Sequence, residues 1–348
     1  MIDKSKYICA TPFGYTEVFD DKQFLCCPGW LKEDIYETDN INQNFNSKKS
    51  QEIRKSILDG SYKYCDENQC PHLSGFKQNK FIDKRFIPKN KESLERYKPI
   101  SKINMVNFCF DRSCNLQCPS CRSELINYLG KDRNGVDEKL RQVNEEISET
   151  IKRLYLSGSA DPFYSKSFRQ FLINFDPKKY PKMENIHIHT NGILWTEQLW
   201  ERMKSIHPFV KSCEISIDAA TQDTYENKTR IGGKWEVLLN QLDFIIQIPT
   251  ISDYIFSFVV QDSNYKEMYD FYKLITEINK PNKKINIFFN HITNWGTFTD
   301  EVYLLKDVSN KNNPHHLSFI NELKKVTTKK EVTHNFHHLL DEVKQTLI

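Results

Sequence analysis

The sequence predicts an α/β fold built on a parallel sheet, preceded by a small cysteine-rich α+β module. Three observations carry this. From Lys102 onward six short β-rich runs alternate with helical stretches, and a strand end repeatedly meets a polar or glycine-containing loop. Such alternation implies parallel strands joined by crossover helices. Five of the ten cysteines fall within the first 70 residues, among short strand-like pieces. A highly charged stretch, broken by Pro88 and Pro99, separates the two patterns.

The elements follow in order. Residues 1–98 are expected to form the first module and its linker, 99–300 the core and 301–348 a C-terminal helical extension. In the module, 15–19 and 24–26 read as strands, and 50–58 reads as a helix stopped by Asp59-Gly60. Residues 81–100 read as linker. In the core, strands are expected over 103–110, 154–156, 186–189, 213–217, 254–260 and 285–289. Helices are expected over 136–151, 166–175, 196–206, 234–246 and 265–278, with Thr196 as an N-cap and Glu197 in the first turn after it. Two further helices are expected over 317–325 and 336–347.

Composition narrows the function. With 39% hydrophobic and 27% charged residues in 348, the chain fits a soluble globular protein of one large or two ordinary domains. A net charge of +3 argues against a nucleic-acid protein, which needs a concentrated basic face. No aromatic stacking platform for nucleic acid is evident either. No stretch reaches the apolar length that spans a bilayer, and residues 1–13 lack the apolar segment of a signal peptide. The expected location is therefore cytoplasmic. In that compartment, cysteines point to metal or catalysis rather than to disulfides. Besides the five near the start, Cys109, Cys114, Cys118 and Cys121 lie within thirteen residues, while Cys213 stands alone. Two clusters of cysteines suggest two metal sites.

The sharpest of these stretches is Asp111-Arg112-Ser113-Cys114-Asn115-Leu116-Gln117-Cys118-Pro119-Ser120-Cys121-Arg122, with the spacing C-x3-C-x2-C. A zinc site needs a fourth ligand at fixed spacing, and the closest histidines, His72 and His187, are far along the chain. A [4Fe–4S] cluster that serves only structure or electron transfer normally has four cysteine ligands. Three thiolates leave one iron open to a small molecule.

This loop resembles the cluster loop of the radical S-adenosylmethionine (radical SAM) enzymes. The resemblance implies that the open iron binds the amino and carboxylate groups of SAM. It implies that the reduced cluster cleaves SAM to methionine and a 5′-deoxyadenosyl radical, which takes a hydrogen atom from the substrate. It also implies a partial (β/α)6 TIM-like barrel for the core, with chemistry at the C-terminal ends of the strands. An external one-electron donor such as flavodoxin or ferredoxin is a further implied partner.

SAM needs matched polar groups, and the strand ends offer them. After the second strand, Ser157-Gly158-Ser159-Ala160-Asp161-Pro162 resembles the family's glycine-rich segment. Gly158 permits close backbone approach, with Ser159 and Asp161 beside it. Ser216 and Asp218 alternate with Ile215 and Ile217, so both point to one face of the fourth strand, where ribose hydroxyls would partner them. Arg230, in Thr229-Arg230-Ile231-Gly232-Gly233, resembles the family's arginine that pairs with the SAM carboxylate. Asn191 at the third strand end, and Gln261 and Asn264 after the fifth, are weaker candidates. The chain departs from the family at Ser159-Ala160-Asp161-Pro162, where Gly-Gly-Glu-Pro is common, and at Ser120, where an aromatic residue beside adenine is common. The backbone near Asn290 is one alternative neighbour for adenine. No catalytic residue acting on substrate stands out.

The order Cys9, Cys26-Cys27-Pro28-Gly29-Trp30, Cys65-x4-Cys70-Pro71 resembles a half-SPASM, or twitch, module. That implies one auxiliary [4Fe–4S] cluster on Cys9, Cys26, Cys65 and Cys70, with Cys27 as the rival of Cys26, used for electron transfer or substrate anchoring. A zinc-stapled module with the same four ligands is the alternative. Here Asp21 replaces the family's turn glycine, the last pair is spaced x4 rather than x2, and the module precedes the core. The implied substrate is a peptide, a sugar or another small molecule. A non-catalytic zinc or iron–sulfur binding module is the reading from another class. Cys109 and Cys213 read as packed strand residues and His187 and His189 as structural. His315, His316, His334, His337 and His338 read as solvated.

Overall fold

A computed structural model of the chain describes residues 2–67, 69–77, 82–156, 159–278, 283–336 and 339. The architecture is mixed α/β with mostly parallel strands. The chain divides into two compact units. The first comprises Met1–Asp111, Tyr128–Ser159 and Asn174–Ile186; the second comprises Arg112–Asn127, Ala160–Ile173 and His187–Ile348.

The first unit holds β1 (Tyr7–Cys9), β2 (Tyr15–Val18), β3 (Gln23–Phe24), β4 (Phe86–Pro88), β5 (Met105–Phe108) and β6 (Arg153–Leu156). Its main sheet has the order β3-β2-β5-β6, with β2 and β3 antiparallel and the other neighbours parallel. Val106, Phe108, Leu154 and Leu156 are fully buried and alternate along β5 and β6, as a sheet facing a core requires. β2 therefore joins the expected first strand of the core, with Glu17 opposite Asn107. The stretch expected as linker contains β4, which pairs antiparallel with β1. Phe86 explains it: the ring is buried in an apolar cluster with Ile8, Phe13, Ile57, Tyr62, Leu73 and Phe76. The helix expected over 136–151 runs instead over Gly130–Glu146 and ends at an Ile147 cap.

The helix Lys48–Leu58 starts at Ser47, whose side chain accepts from Ser50 N, and stops before Gly60, which takes a φ of +87°. Its Arg54 is fully buried. The guanidinium donates from Nε to Pro12 O (2.7 Å), from Nη2 to Phe45 O (2.7 Å) and from Nη1 to Pro99 O (2.8 Å), and sits 4.2 Å from the Phe45 ring centroid. One side chain thus ties three separate backbone segments to the helix. Arg54→Met keeps the stem but leaves those carbonyls unpaired. At roughly 1 kcal/mol or more each, the variant should lose about 3 kcal/mol in urea unfolding; a loss below about 1 kcal/mol would refute the tie.

Glu17, on β2, is another buried ionisable group of this unit. Tyr15 Oη donates to its Oε1 (2.7 Å) and the Cys109 thiol lies 4.0 Å from Oε2. Burial raises its carboxyl from 4.5 to about 7, against the hydrogen bonds from Tyr15 and Asn107. The folded state therefore binds the extra proton. Its contribution is fully present below about pH 4.5 and is lost as pH rises through about 7. In urea melts, wild type should lose about 3 kcal/mol more than Glu17→Gln between pH 5 and pH 8; parallel pH profiles would sink this assignment.

The second unit carries β8 (Val210–Ser216), β9 (Asp253–Val260), β10 (Lys284–His291) and β11 (Val332–His334), with β7 (Asn185–Thr190) entering at its boundary. Their order is β7-β8-β9-β10-β11. The pairs β8/β9, β9/β10 and β10/β11 are parallel, with Ser216 opposite Ser257 and Phe288 opposite Thr333. The residues expected as a helical extension thus add a strand as well as the helix His316–Thr327. The expected helix over 196–206 is shorter: Thr196 caps Glu197–Glu201 through Leu199 N, and a 3-10 turn, Lys204–Ile206, follows. The expected helix over 265–278 likewise opens with a 3-10 turn, Tyr265–Glu267, before Met268–Glu277.

Two sequence expectations need correction here. β8 ends at Ser216, so Asp218 lies beyond the strand, with a φ of +60°, and the strand alternation does not orient it. His316 is buried rather than solvated, with Nδ1 3.0 Å from Val308 O. The expected helix over 336–347, His337, His338 and Gly158 lie outside the described residues, Phe336 and Leu339 excepted. Among the described residues, no helix is long and apolar enough to cross a membrane.

Candidate functional site

Cys114, Cys118 and Cys121 lie on a non-regular loop of the second unit, which the chain enters after β5. The loop is held by its own backbone. Cys114 N donates to Ile126 O (3.0 Å), Arg122 N to Cys118 O (3.0 Å) and Gln117 N to Ile231 O (2.9 Å). Cys114 and Cys118 are buried and Cys121 is exposed. Burial pushes the Cys114 thiol up to about 12 and also raises that of Cys118, against the pull of Arg230.

Each sulfur faces a side-chain N–H donor. Asn191 Nδ2 lies 3.7 Å from Cys114 Sγ, Arg230 Nη1 3.7 Å from Cys118 Sγ, and Arg122 Nη2 3.5 Å from Cys121 Sγ. Leu116 N is a further donor, 3.5 Å from Cys114 Sγ. Asn191 also donates to Asn115 Oδ1 (2.9 Å), and Arg122 Nη1 to Arg112 O (2.6 Å).

Asp161 organises the loop's neighbours rather than offering a free carboxylate. It is buried, and its Oδ1 accepts from Phe163 N (3.0 Å) and Tyr164 N (3.2 Å). Its Oδ2 accepts from Thr190 Oγ1 (2.7 Å) and Asn191 N (2.9 Å), and its own N donates to Ser113 O (2.9 Å). Asp161 therefore fixes Asn191 against the cysteine loop. Ser159, in the first unit, spends its hydroxyl on Cys109 O (2.9 Å) and Asp111 O (2.5 Å).

Asp218 and Arg230 form a buried ion pair at 2.7 Å. Asp218 Oδ1 accepts from Val259 N (2.7 Å), and Asn264 Nδ2 donates to Asp218 O (2.9 Å) and Val259 O (2.9 Å). Asn264 is thus a clamp on the left-handed turn at Asp218. Arg230 follows a π-helical turn, Tyr225–Thr229, a rare geometry that recurs at functional sites. Burial opposes the Arg230 charge, but the Asp218 carboxylate and the Cys118 sulfur outweigh it and hold the guanidinium protonated. Ser216 Oγ lies 2.8 Å from His189 Nε2 and 3.0 Å from Ser257 Oγ, so β7, β8 and β9 share one polar chain.

Among the described residues, the buried side-chain polar atoms without a partner include Arg230 Nε, Tyr225 Oη and Gln261 Nε2. Unpaired buried polar groups are costly, so these three atoms are candidates to meet a polar ligand group. With three thiols, the set suits a sulfur-rich group together with a polar small molecule. Arg122, Asn115, Tyr225 and Thr190 escape sequence reasoning. Only Arg122 leaves a local signal, a cation next to the last cysteine of the motif.

In the first unit, Cys9, Cys65 and Cys70 pack on the apolar cluster that contains Phe86. Cys26 is buried, and its thiol is raised by burial and then by Cys9, Cys70, Cys27 and Cys65. Cys27 is raised to about 11 by burial and then by Glu17. The backbone joins these segments: Asp66 N donates to Trp30 O (2.8 Å) and Cys70 N to Asp66 O (2.9 Å). Among the described residues, no three His, Cys, Asp or Glu side chains stand close enough to hold a single metal ion.

No protein-family model and no curated protein matches the chain. Solved structures similar to it include Streptococcus suis SuiB bound to precursor peptide SuiA, at 12% identity, TM-score 0.44, over 87% of this chain and 67% of that one. Another is anSMEcpe with bound AdoMet, at 16% identity, TM-score 0.40, over 55% of this chain and 51% of that one. A third is a radical SAM methyltransferase from Sphaerobacter thermophilus, at 14% identity, TM-score 0.40, over 64% and 63%. The chain thus spans between half and two thirds of their lengths. At TM-scores below 0.5 these likenesses carry no argument about function.

Proposed function

We propose that the chain is a radical SAM enzyme with one auxiliary [4Fe–4S] cluster, acting on a peptide, a sugar or another small molecule. The observation that carries this is the C-x3-C-x2-C loop whose three sulfurs each face a side-chain N–H donor, beside buried donors that have no partner among the described residues. Cys114, Cys118 and Cys121 would hold the SAM-binding cluster. When bound, cluster and SAM supply reductive cleavage and the hydrogen-abstracting radical that the sequence resemblance implies.

The chain's own residues bind and orient. Arg230, with Nε unused, has a donor to offer the SAM carboxylate while Asp218 holds the guanidinium in place. Asp161 positions Asn191 on the cysteine loop. Gln261 and Tyr225 would supply amide and hydroxyl groups for the rest of the molecule, and Ser216, whose hydroxyl already meets His189 and Ser257, is assigned to the ribose from the sequence resemblance. Gly158 and Ser159 are assigned to its methionyl end from the sequence resemblance. Cys9, Cys26, Cys65 and Cys70 would hold the auxiliary cluster. Cys26 is preferred to Cys27 because it stands at the second cysteine position of the twitch-like order, with Cys27 as its rival. An external one-electron donor of the flavodoxin or ferredoxin type and a cytoplasmic location complete the proposal.

Anaerobic reconstitution with an iron count tests it. The full chain should hold about eight irons, four per cluster. Cys65→Ala should fall to about four irons and keep measurable SAM cleavage. Zinc in place of iron, or equal loss of both clusters in Cys65→Ala, would refute the assignment.

A further inference from the structure

The three cysteine sulfurs receive their donors from three separate places in the second unit. Asn191 comes from the end of β7, Arg230 from the segment after the π-helical turn, and Arg122 from the residue after the last cysteine. Each donor is also fixed by a second bond, Asn191 to Asn115, Arg230 to Asp218 and Arg122 to Arg112. Two of the three are guanidinium groups, which remain charged throughout the working pH range.

We propose that Asn191, Arg230 and Arg122 form a donor set that raises the reduction potential of the cluster held by Cys114, Cys118 and Cys121. This rests on the radical SAM reading of the loop. Reduction brings one electron from the external donor and no proton, so the cluster and its thiolates gain one negative charge. N–H donors and positive charge at the sulfurs stabilise the more negative state, and hydrogen bonds to sulfur are among the established determinants of cluster potential. Cys114, Cys118 and the Arg122 side chain are buried, so the interactions at Cys114 and Cys118 are weakly screened, while Arg122 meets the exposed Cys121 from a buried position. Asp218 offsets part of the Arg230 charge, which makes Arg122 and Asn191 the cleaner positions to test.

Potentiometric titration of the full chain, followed by the EPR signal that changes when SAM is added, reads the effect at this cluster alone. Arg122→Met should shift the reduction equilibrium at least tenfold toward the oxidised form, a fall of about 59 mV for a one-electron couple. Arg122→Lys should recover most of the shift, and Asn191→Ala should move the potential in the same direction. Should Arg122→Met fail to load iron, Asn191→Ala carries the comparison; failure of both to load would overturn the proposal, because the donors would then serve assembly. Fully loaded variants with wild-type potentials would overturn it as well. A wild-type chain that binds no four-iron cluster at this loop would instead refute the functional reading on which it rests.

Discussion

Cys118→Ala is expected to reduce SAM cleavage below detection, with the iron count falling by about four. Cys118 is the middle cysteine of the motif, is buried, and faces Arg230. A cubane left with two protein ligands loses both its grip and its orientation toward the open iron. The substitution removes a single sulfur, and the loop's backbone bonds from Cys114 N, Gln117 N and Arg122 N do not depend on it. The variant should therefore stay folded, with urea unfolding of the metal-free chain shifted by about 1–2 kcal/mol for the truncated buried side chain. Cleavage at wild-type rates would mean that the cluster sits elsewhere.

The second large effect belongs to Asp218. Asp218→Ala removes the carboxylate 2.7 Å from Arg230 and the acceptor for Val259 N, leaving a guanidinium that is 12% exposed without its counter-charge. Breaking one side of a buried pair costs about 3–5 kcal/mol. Alanine is also poorly suited to a φ of +60°, whereas asparagine tolerates it. Asp218→Asn should therefore be milder, isolating the charge from the backbone strain. Urea unfolding of the metal-free variants reads both. A loss below about 1 kcal/mol for Asp218→Ala would show that the pair does not hold the turn.

What could be read in the sequence was local. The cysteine spacing, the Thr196 cap, the Asp59-Gly60 stop and Arg230 in a glycine-flanked loop are signalled by neighbours within a few residues. What could not be read was pairing at a distance. Nothing near Tyr15–Val18 says that it pairs with Met105–Phe108, since alternation marks a strand but not its partner. β4 was hidden because charged residues flank Phe86, and burial of that one ring outweighs the local composition. Asp161 stands where a glutamate is common in the family, which suggested a ligand group; its four donors make it a positioning residue for Asn191. The contacts to Cys114 Sγ and Cys118 Sγ join residues 77 and 112 apart in the chain.

The central claim is that the loop at Cys114, Cys118 and Cys121 opens one iron to SAM. The most direct test is chromatographic detection of 5′-deoxyadenosine after the anaerobically reconstituted chain is mixed with SAM and dithionite. Formation of 5′-deoxyadenosine by wild type and none by Cys118→Ala is the expected result. An iron-loaded wild-type chain that yields no 5′-deoxyadenosine, or equal yields from wild type and Cys118→Ala, would contradict it.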